Sequence, residues 1–508
     1  MLTEEYLLKL QNGSDVRGVA LEGVPGEQVN LTPTATGVIV GGFVRFLSEK
    51  TGKPAEKLKI TLGHDTRISA EKLKRAALGA LNARKVEAVD CGLASTPAMF
   101  MSTVFDEIKA DGAIMLTASH LPFNRNGLKF FTVDGGLEKS DIRTVLTYAA
   151  EEQEPTAEEY ENTGKSGEGQ FDLMTVYAAH LRRIICQKLG ADEKDRPLNG
   201  MRVAVDAGGG GGGFFAEKIL SPLGADTTGS QFLEPDGMFS HHIPNPENKE
   251  AMTALKETVA KNKADLGLIF DTDVDRMGAV LPDGTELGRN ALIAMMAAIL
   301  APDYPGSTIV TDSVTSDELT KFLTGELKLK HHRFKRGYKN VINECKRLNE
   351  SGTVSPLAIE TSGHGAVSEN YYLDDGAYLA VLLLVAAAKA HQAGKNIGNL
   401  IKNLRYPAES REYRLAINGQ DNPQTYGDKV IQAVTERAAQ AGIQIAVPNY
   451  EGVRLIFPNG WALLRMSLHD PNMPLNVESR TSNGCQTIAN QIAGFLTDFP
   501  ALDTKALQ

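Results

Sequence analysis

Short apolar runs that end in a Gly- or Asp-containing turn and lead into a helical stretch recur along the chain. KITLGHDTRISAEKLKRAALGAL (59–81), MRVAVDAGGGGGGFFAEKIL (201–220) and STIVTDSVTSDELTKFL (307–323) all follow this order. The pattern predicts strand–turn–helix units in α/β layers with mainly parallel pairing. Its recurrence in separate regions predicts three related mixed α/β domains rather than one large sheet. The C-terminal residues differ. EGVRLIFPNGWALLRMSLHD alternates apolar and polar positions around a PNGW turn, which predicts a hairpin within a smaller α+β unit with an antiparallel sheet. AYLAVLLLVAAA (377–388) and ALIAMMAAIL (291–300) are too short to span a bilayer and read as buried helices. The polar, acidic stretch 151–170 reads as a loop or linker ahead of a helix.

Length and charge narrow the class. A chain of 508 residues is too long for one core, and several domains are expected. A net charge of −10 argues against binding nucleic acid or an anionic membrane, so cationic groups for a phosphate ligand must be gathered locally. The 4 cysteines lie far apart with no CxxC pair, which fits reduced thiols and offers no metal or redox motif. MLTEEYLLKLQNGSD lacks a basic n-region and a long apolar h-region, so a soluble, cytoplasmic protein is expected.

Several loops carry candidate chemistry. In LGLIFDTDVDRMGAV (266–280), Asp271, Asp273 and Asp275 stand at alternate positions directly after an apolar strand. Carboxylates that close repel unless a cation lies among them, and hard oxygen ligands suit Mg²⁺. A solvated acidic turn is the bland alternative. A DxD aspartyl-phosphate nucleophile is the rival, although that motif usually opens its catalytic domain. Arg276 follows the triplet and is placed to reach a phosphate on the same metal. The glycines at 208–213 lack a P-loop ending and a dinucleotide fingerprint, so they read as a flexible strand-to-helix connection. In AIETSGHGAVSEN, Glu360, Ser362 and His364 combine an acceptor, a hydroxyl and an imidazole suited to vicinal sugar hydroxyls. LLRMSLHDP offers Arg465, Ser467 and His469 as a phosphate clamp, or else an exposed strand end.

LTASHLPFNRNGLKFF (116–131) raises the sharpest choice. The apolar AIML run delivers Ser119 and His120 into a polar turn, and Lys129 waits on the returning run. An ordinary surface hairpin would read the same way. No GxSxG elbow surrounds the serine, and the adjacent His120 need not be its base. A hydroxyl near cations, in a chain with a metal triplet, suits a serine that carries phosphate.

These segments, in this order, resemble the α-D-phosphohexomutases. NGSDVRG (12–18) is similar to that family's opening loop, with Arg17 as its phosphate-contacting arginine, and LGHDTRIS (62–69) to its first-domain signature. TASHLPFNRNGLK resembles the phosphoserine loop, which makes Ser119 the phosphorylated residue and His120 and Lys129 adjacent cations. PDGMFSHHIPNPENKEAM and DTDVDR resemble the second-domain signature and metal loop, ETSGH the sugar-recognition loop, and RMSLHDP the phosphate loop. In the last of these, Leu468 and His469 depart from the usual Gly or Asn and Thr. Tyr338 stands where some members have a histidine, and Thr361 where Met or Gln is usual.

The resemblance implies domains at 1–170, 171–288, 289–405 and 406–508 around one cleft. It implies interconversion of hexose 1-phosphate and hexose 6-phosphate, of mannose or glucose, through phosphoserine and a hexose 1,6-bisphosphate that also serves as activator. Arg17, His120, Lys129 and Ser119 would be catalytic, and Ser119, Asp271, Asp273 and Asp275 would hold one Mg²⁺. Arg276, Glu360, Ser362, His364, Arg465, Ser467 and His469 would bind substrate. The implied partners are hexose monophosphates, with no nucleic acid or membrane, and the chain a monomer or weak dimer. A phosphoglucosamine mutase and a phosphosugar-binding homologue without turnover are the alternatives.

Overall fold

The computed structural model describes residues 2–154, 169–467 and 470–507. Most of the acidic linker expected at 151–170 lies outside the described residues, as do Leu468 and His469. By packing, the chain falls into two compact units, Met1–Gly288 with Ser362–Leu400, and Arg289–Thr361 with Ile401–Gln508.

The first unit contains two sheets. The larger runs in the order Gln11–Asn12, Asp15–Val19, Arg125–Thr132, Gly112–Leu116, Lys59–His64, Glu87–Leu93, Gly169–Gln170. Lys59–His64 lies parallel to both neighbours. Gly112–Leu116 and Arg125–Thr132, however, pair antiparallel with Met115 opposite Lys129. Pairing is therefore mixed rather than mainly parallel. The apolar runs around Ser119 form a hairpin, and a buried one: Leu116, Leu128 and Phe130 are in the core. Helix Pro33–Thr51 covers this sheet, started by the Thr32 side chain accepting from Ala35 N and stopped by Gly52 at φ 70°. Its Phe43 and Leu47 pack with Ile60, Leu62 and Ile114.

The second sheet has the order Glu286–Leu287, Met277–Val280, Leu266–Phe270, Val203–Asp206. Leu266–Phe270 runs parallel to Val203–Asp206 and antiparallel to Met277–Val280, so residues 271–276 form the turn of a fully buried hairpin. The glycine run does connect a strand to helical turns, as expected, but it is buried and closely packed. A Cβ on Gly210 would lie 2.8 Å from the Thr272 Cα, and one on Gly213 would lie 2.4 Å from the Leu233 carbonyl oxygen. Only glycine permits that approach, and it seats the run directly against the aspartate turn. Helix Gly376–Gln392, capped by the Asp375 side chain, completes this unit and contains the apolar 377–388 window.

The second unit combines three parallel strands, Lys330–Arg333, Thr308–Thr311 and Leu357–Ile359, with a five-stranded sheet. The latter runs Glu409–Ala416, Asn472–Ser479, Gly460–Leu464, Val453–Phe457, Gln444–Ile445, all antiparallel. The PNGW segment makes the expected hairpin, with Phe457 opposite Gly460. Helices Pro423–Gln440 and Gly484–Phe495 supply the rest of that core. The architecture is three α/β domains followed by a smaller α+β domain. Among the described residues, no helix is long and apolar enough to cross a membrane.

Candidate active site

Ser119 stands at the head of the buried hairpin turn, 2% exposed, with φ 50°. The left-handed conformation costs a non-glycine residue about 1 kcal/mol and needs support from its surroundings. Arg67 supplies it. Its guanidinium, buried beneath the turn, donates to the carbonyl oxygens of Ser119, Leu121 (2.7 Å), Pro122 (2.6 Å) and Arg125 (3.0 Å). Asp65 orients Arg67 through Nε at 3.1 Å and accepts a further bond from Thr117 Oγ1 at 2.7 Å. Burial lifts the Asp65 carboxyl above its usual range although Arg67 pulls it down, and burial lowers Arg67 against the pull of Asp65. The Ser119 backbone N–H donates to Thr117 Oγ1 at 2.9 Å.

The serine hydroxyl faces the aspartate turn. Oγ donates to Asp271 Oδ2 at 2.9 Å, and Arg276 Nη2 reaches Oγ at 3.4 Å. Ligand oxygens of Asp271, Asp273 and Asp275 all lie within 4.8 Å of one another. Asp273 Oδ1 and Asp275 Oδ1 are buried without a hydrogen-bond partner. Two orphaned carboxylate oxygens beside a third carboxylate fit a hard divalent cation such as Mg²⁺. Burial, reinforced by Asp275, pushes Asp271 well above the ordinary carboxylate range, which Arg276 opposes. Burial also works against the charge of Asp275, yet Lys129, His364 and Arg276 outweigh it and hold that group low.

The cations are distributed around this turn. Lys129 Nζ lies 2.5 Å from Asp275 and 3.3 Å from Asp273. Arg276, 1% exposed, bonds Asp271 through Nε at 3.1 Å. Arg17 pairs with Asp15 at 3.0 Å and reaches the Ala118 carbonyl oxygen at 3.3 Å, beside the serine. His120 is the exception. Its Nδ1 is 3.3 Å from Ser119 Oγ, but burial, then Arg276 and Arg17, lower its pKa to about 2. It is a neutral imidazole and not the adjacent cation that the resemblance implied.

The ETSGH segment is divided between the units. In the first, His364 makes an isolated antiparallel bridge with Arg276, and its Nδ1 is 2.6 Å from Asp374 and 3.8 Å from Asp275. Burial opposes its charge, but Asp374 and Asp275 prevail and raise it to about 9. His364 is therefore an imidazolium at neutral pH. Ser362 lies two residues away, half-buried.

In the second unit, Glu360 accepts from the Gly337 N–H at 2.6 Å. Arg465 Nη1 is 3.8 Å from Glu451 and donates to the Met466 carbonyl oxygen at 3.1 Å. The Arg336 N–H also bonds Glu451, so the 336–337 segment links the Glu360 and Arg465 neighbourhoods. Ser467 follows Arg465, its Oγ accepting from Asp470 N at 3.3 Å, and His469 lies outside the described residues.

Other participants escaped the sequence reading. Thr96 donates to Asp273 Oδ2 at 2.5 Å from 177 positions away, and no local pattern marks it. Asn245 Oδ1 accepts from Arg276 at 3.3 Å. Arg67 and Asp65 lie inside the HDTR motif, where the visible cue was an arginine beside an aspartate in a strand-to-helix turn.

Known proteins share this sequence family and fold. Residues 8–156, 175–284 and 288–406 match the alpha/beta/alpha domains I, II and III of phosphoglucomutase/phosphomannomutase. A phosphoglucomutase of Neisseria gonorrhoeae is 26% identical over 89% of this chain and 91% of its own length. A phosphomannomutase/phosphoglucomutase of Pseudomonas putida is 26% identical over 93% of each chain. A crystal structure of a phosphoglucomutase/phosphomannomutase family protein from Burkholderia thailandensis shares the fold at TM-score 0.75 and 23% identity, over 98% of both chains. The chain belongs to the phosphoglucomutase/phosphomannomutase family of α-D-phosphohexomutases and is a phosphotransferase of the mutase type.

Proposed function

We propose that this mutase interconverts the 1-phosphate and 6-phosphate of mannose, glucose or both, with Ser119 as the phosphate carrier. The observation that carries the reading is the Ser119 hydroxyl, 2.9 Å from Asp271 and 3.4 Å from Arg276, at a turn held rigid from below by Arg67. The names of the relatives, phosphoglucomutase and phosphomannomutase/phosphoglucomutase, support the choice of sugars. The same reading takes domain boundaries near 170, 288 and 405, and a cytoplasmic setting.

In the forward half-reaction, the P–O bond to Ser119 Oγ breaks as a bond forms to the free O1 or O6 of the bound sugar. The sugar hydroxyl loses its proton and the serine oxygen gains one. The resulting hexose 1,6-bisphosphate then returns its other phosphate to Ser119 by the reverse chemistry, and traces of it prime the enzyme. Such a transfer asks mainly for alignment and charge neutralisation. Arg276 and Arg17 flank the serine and steady the phosphate, and His364 adds a fixed positive charge. Lys129, already bridging two aspartates, is placed to exchange a proton at the sugar hydroxyl. Neutral His120 orients the serine oxygen. Mg²⁺ held by Asp271, Asp273 and Asp275, with an oxygen on Ser119, would neutralise charge on the transferring group. Arg465 and Ser467 take the phosphate that does not react, and Glu360 and Ser362 the ring hydroxyls.

A coupled mutase assay with Mg²⁺ and a trace of hexose 1,6-bisphosphate tests this, comparing mannose, glucose and glucosamine 1-phosphates. Turnover of the first two is expected, and Ser119→Ala should lower kcat by at least about 10³-fold. Turnover of glucosamine phosphate alone would reassign the sugar. Full turnover in Ser119→Ala, or labelled phosphate mapping to Asp271, would overturn the serine mechanism.

A further inference from the structure

We propose that Glu451 is an internal anion that holds the donors of the phosphate seat in the second unit and yields them when a sugar phosphate binds. The proposal rests on the reading of Arg465 and Ser467 as that seat. Glu451 lies in AVPNYEG, the loop before strand Val453–Phe457. The residues on either side clamp it. The Tyr450 ring packs 4.9 Å from Phe334 and 5.2 Å from His332, centroid to centroid. Gly452, at φ 56°, is pressed so close to the following hairpin that a Cβ would lie 2.1 Å from the Leu464 carbonyl oxygen and 2.9 Å from the Arg465 Cα. The Asn449 amide donates to the carbonyl oxygens of Glu451 (3.0 Å) and Gly452 (2.8 Å), which closes the turn.

The carboxylate so placed collects three kinds of donor. Its Oε2 accepts from the Ser313 hydroxyl and from the Arg336 backbone N–H at 3.1 Å, and its Oε1 stands 3.8 Å from Arg465 Nη1. Hydroxyl, backbone N–H and guanidinium together are the donor set of a phosphate site. The Arg465 side chain is only 6% exposed, yet its Nε has no hydrogen-bond partner. A nine-tenths-buried guanidinium with an idle donor and a carboxylate at the outer limit of ion pairing is only partly neutralised. Glu451 is the carboxylate within ion-pairing distance and, with Glu412 and Asp312 acting from farther away, keeps the buried charge tolerable. A phosphate brings nearly two charges and three acceptor oxygens, so it outcompetes the carboxylate for Arg465. Glu451 then repels the bound phosphate and shortens its stay. A mutase benefits, because a bisphosphate must leave the seat before its other end can occupy it.

Isothermal titration of the full-length protein with glucose 6-phosphate, and separately with inorganic phosphate, tests the proposal. Glu451→Gln keeps the size and removes the charge. It should tighten both ligands by about threefold to tenfold, while Arg465→Ala weakens both by at least about tenfold. Glu451→Ala should tighten in the same way and serves if the glutamine variant does not fold. Unchanged or weaker binding in a folded Glu451 variant, with Arg465→Ala still impaired, would overturn the proposal and leave the phosphate seat standing. Wild-type affinity in Arg465→Ala would overturn the seat itself, and the proposal with it.

Discussion

On the proposed reading the serine turn in the first unit and the Arg465 loop in the second both receive phosphate, and they hold their buried charges in opposite ways. Around Ser119 the partners are close and multiple. Arg67 ties four carbonyl oxygens of the turn, Lys129 bridges two aspartates, and Arg276 spans Asp271 and the serine. Around Arg465 the nearest carboxylate, Glu451, stands at 3.8 Å, Glu412 and Asp312 act from farther away, and Nε has no hydrogen-bond partner. The first arrangement is preorganised, which would serve the proposed phosphoryl transfer, because any reorganisation there would add to the barrier. The second is looser, which would suit the proposed seat, where one phosphate must give way to another.

The comparison predicts that the two regions fail differently. Removal of metal by EDTA should lower turnover by at least about 10³-fold, with recovery on adding Mg²⁺. The affinity for hexose phosphate, measured by titration calorimetry, should fall far less, because Arg465 does not depend on the aspartates. Equal losses in turnover and affinity would break the distinction. Arg67→Ala should cost about 3–5 kcal/mol in urea unfolding, because it leaves Asp65 and four carbonyl oxygens without their cation. Arg67→Lys should restore only part of that stability, since an ammonium lacks the planar fork. Gly210→Ala should cost about 1–3 kcal/mol by overpacking against Thr272, and should lower kcat through the displaced aspartate turn. A stable but inactive Gly210→Ala would sharpen the picture, since it would separate the position of that turn from the stability of the domain.

Much of this was legible in the sequence. The strand–turn–helix units at 59–81 and 307–323, the buried apolar helices and the PNGW hairpin follow from local periodicity, and the structure contains all of them. The aspartate triplet was visible because its members are nearly consecutive and the strand before it is continuous and apolar. The glycine run was misjudged in one respect. Composition reads six glycines as freedom, whereas here they are what allows close contact with Thr272 and Phe270. His120 was misjudged in charge, because its pKa depends on burial and on arginines that no neighbouring residue announces.

The sequence by itself thus determined the elements, the family and the residue types at each loop tip, since these depend on interactions within a few positions. Tertiary structure alone decided which groups meet. Ser119 finds Asp271 across 152 positions, Lys129 finds Asp275 across 146, and Glu451 finds Ser313 across 138. It also decided the contrasting protonation of two histidines. Burial and the charges brought against a side chain shift its pKa, and both are properties of the folded chain: His364 is driven up to about 9 and His120 down to about 2, although the two begin as the same imidazole.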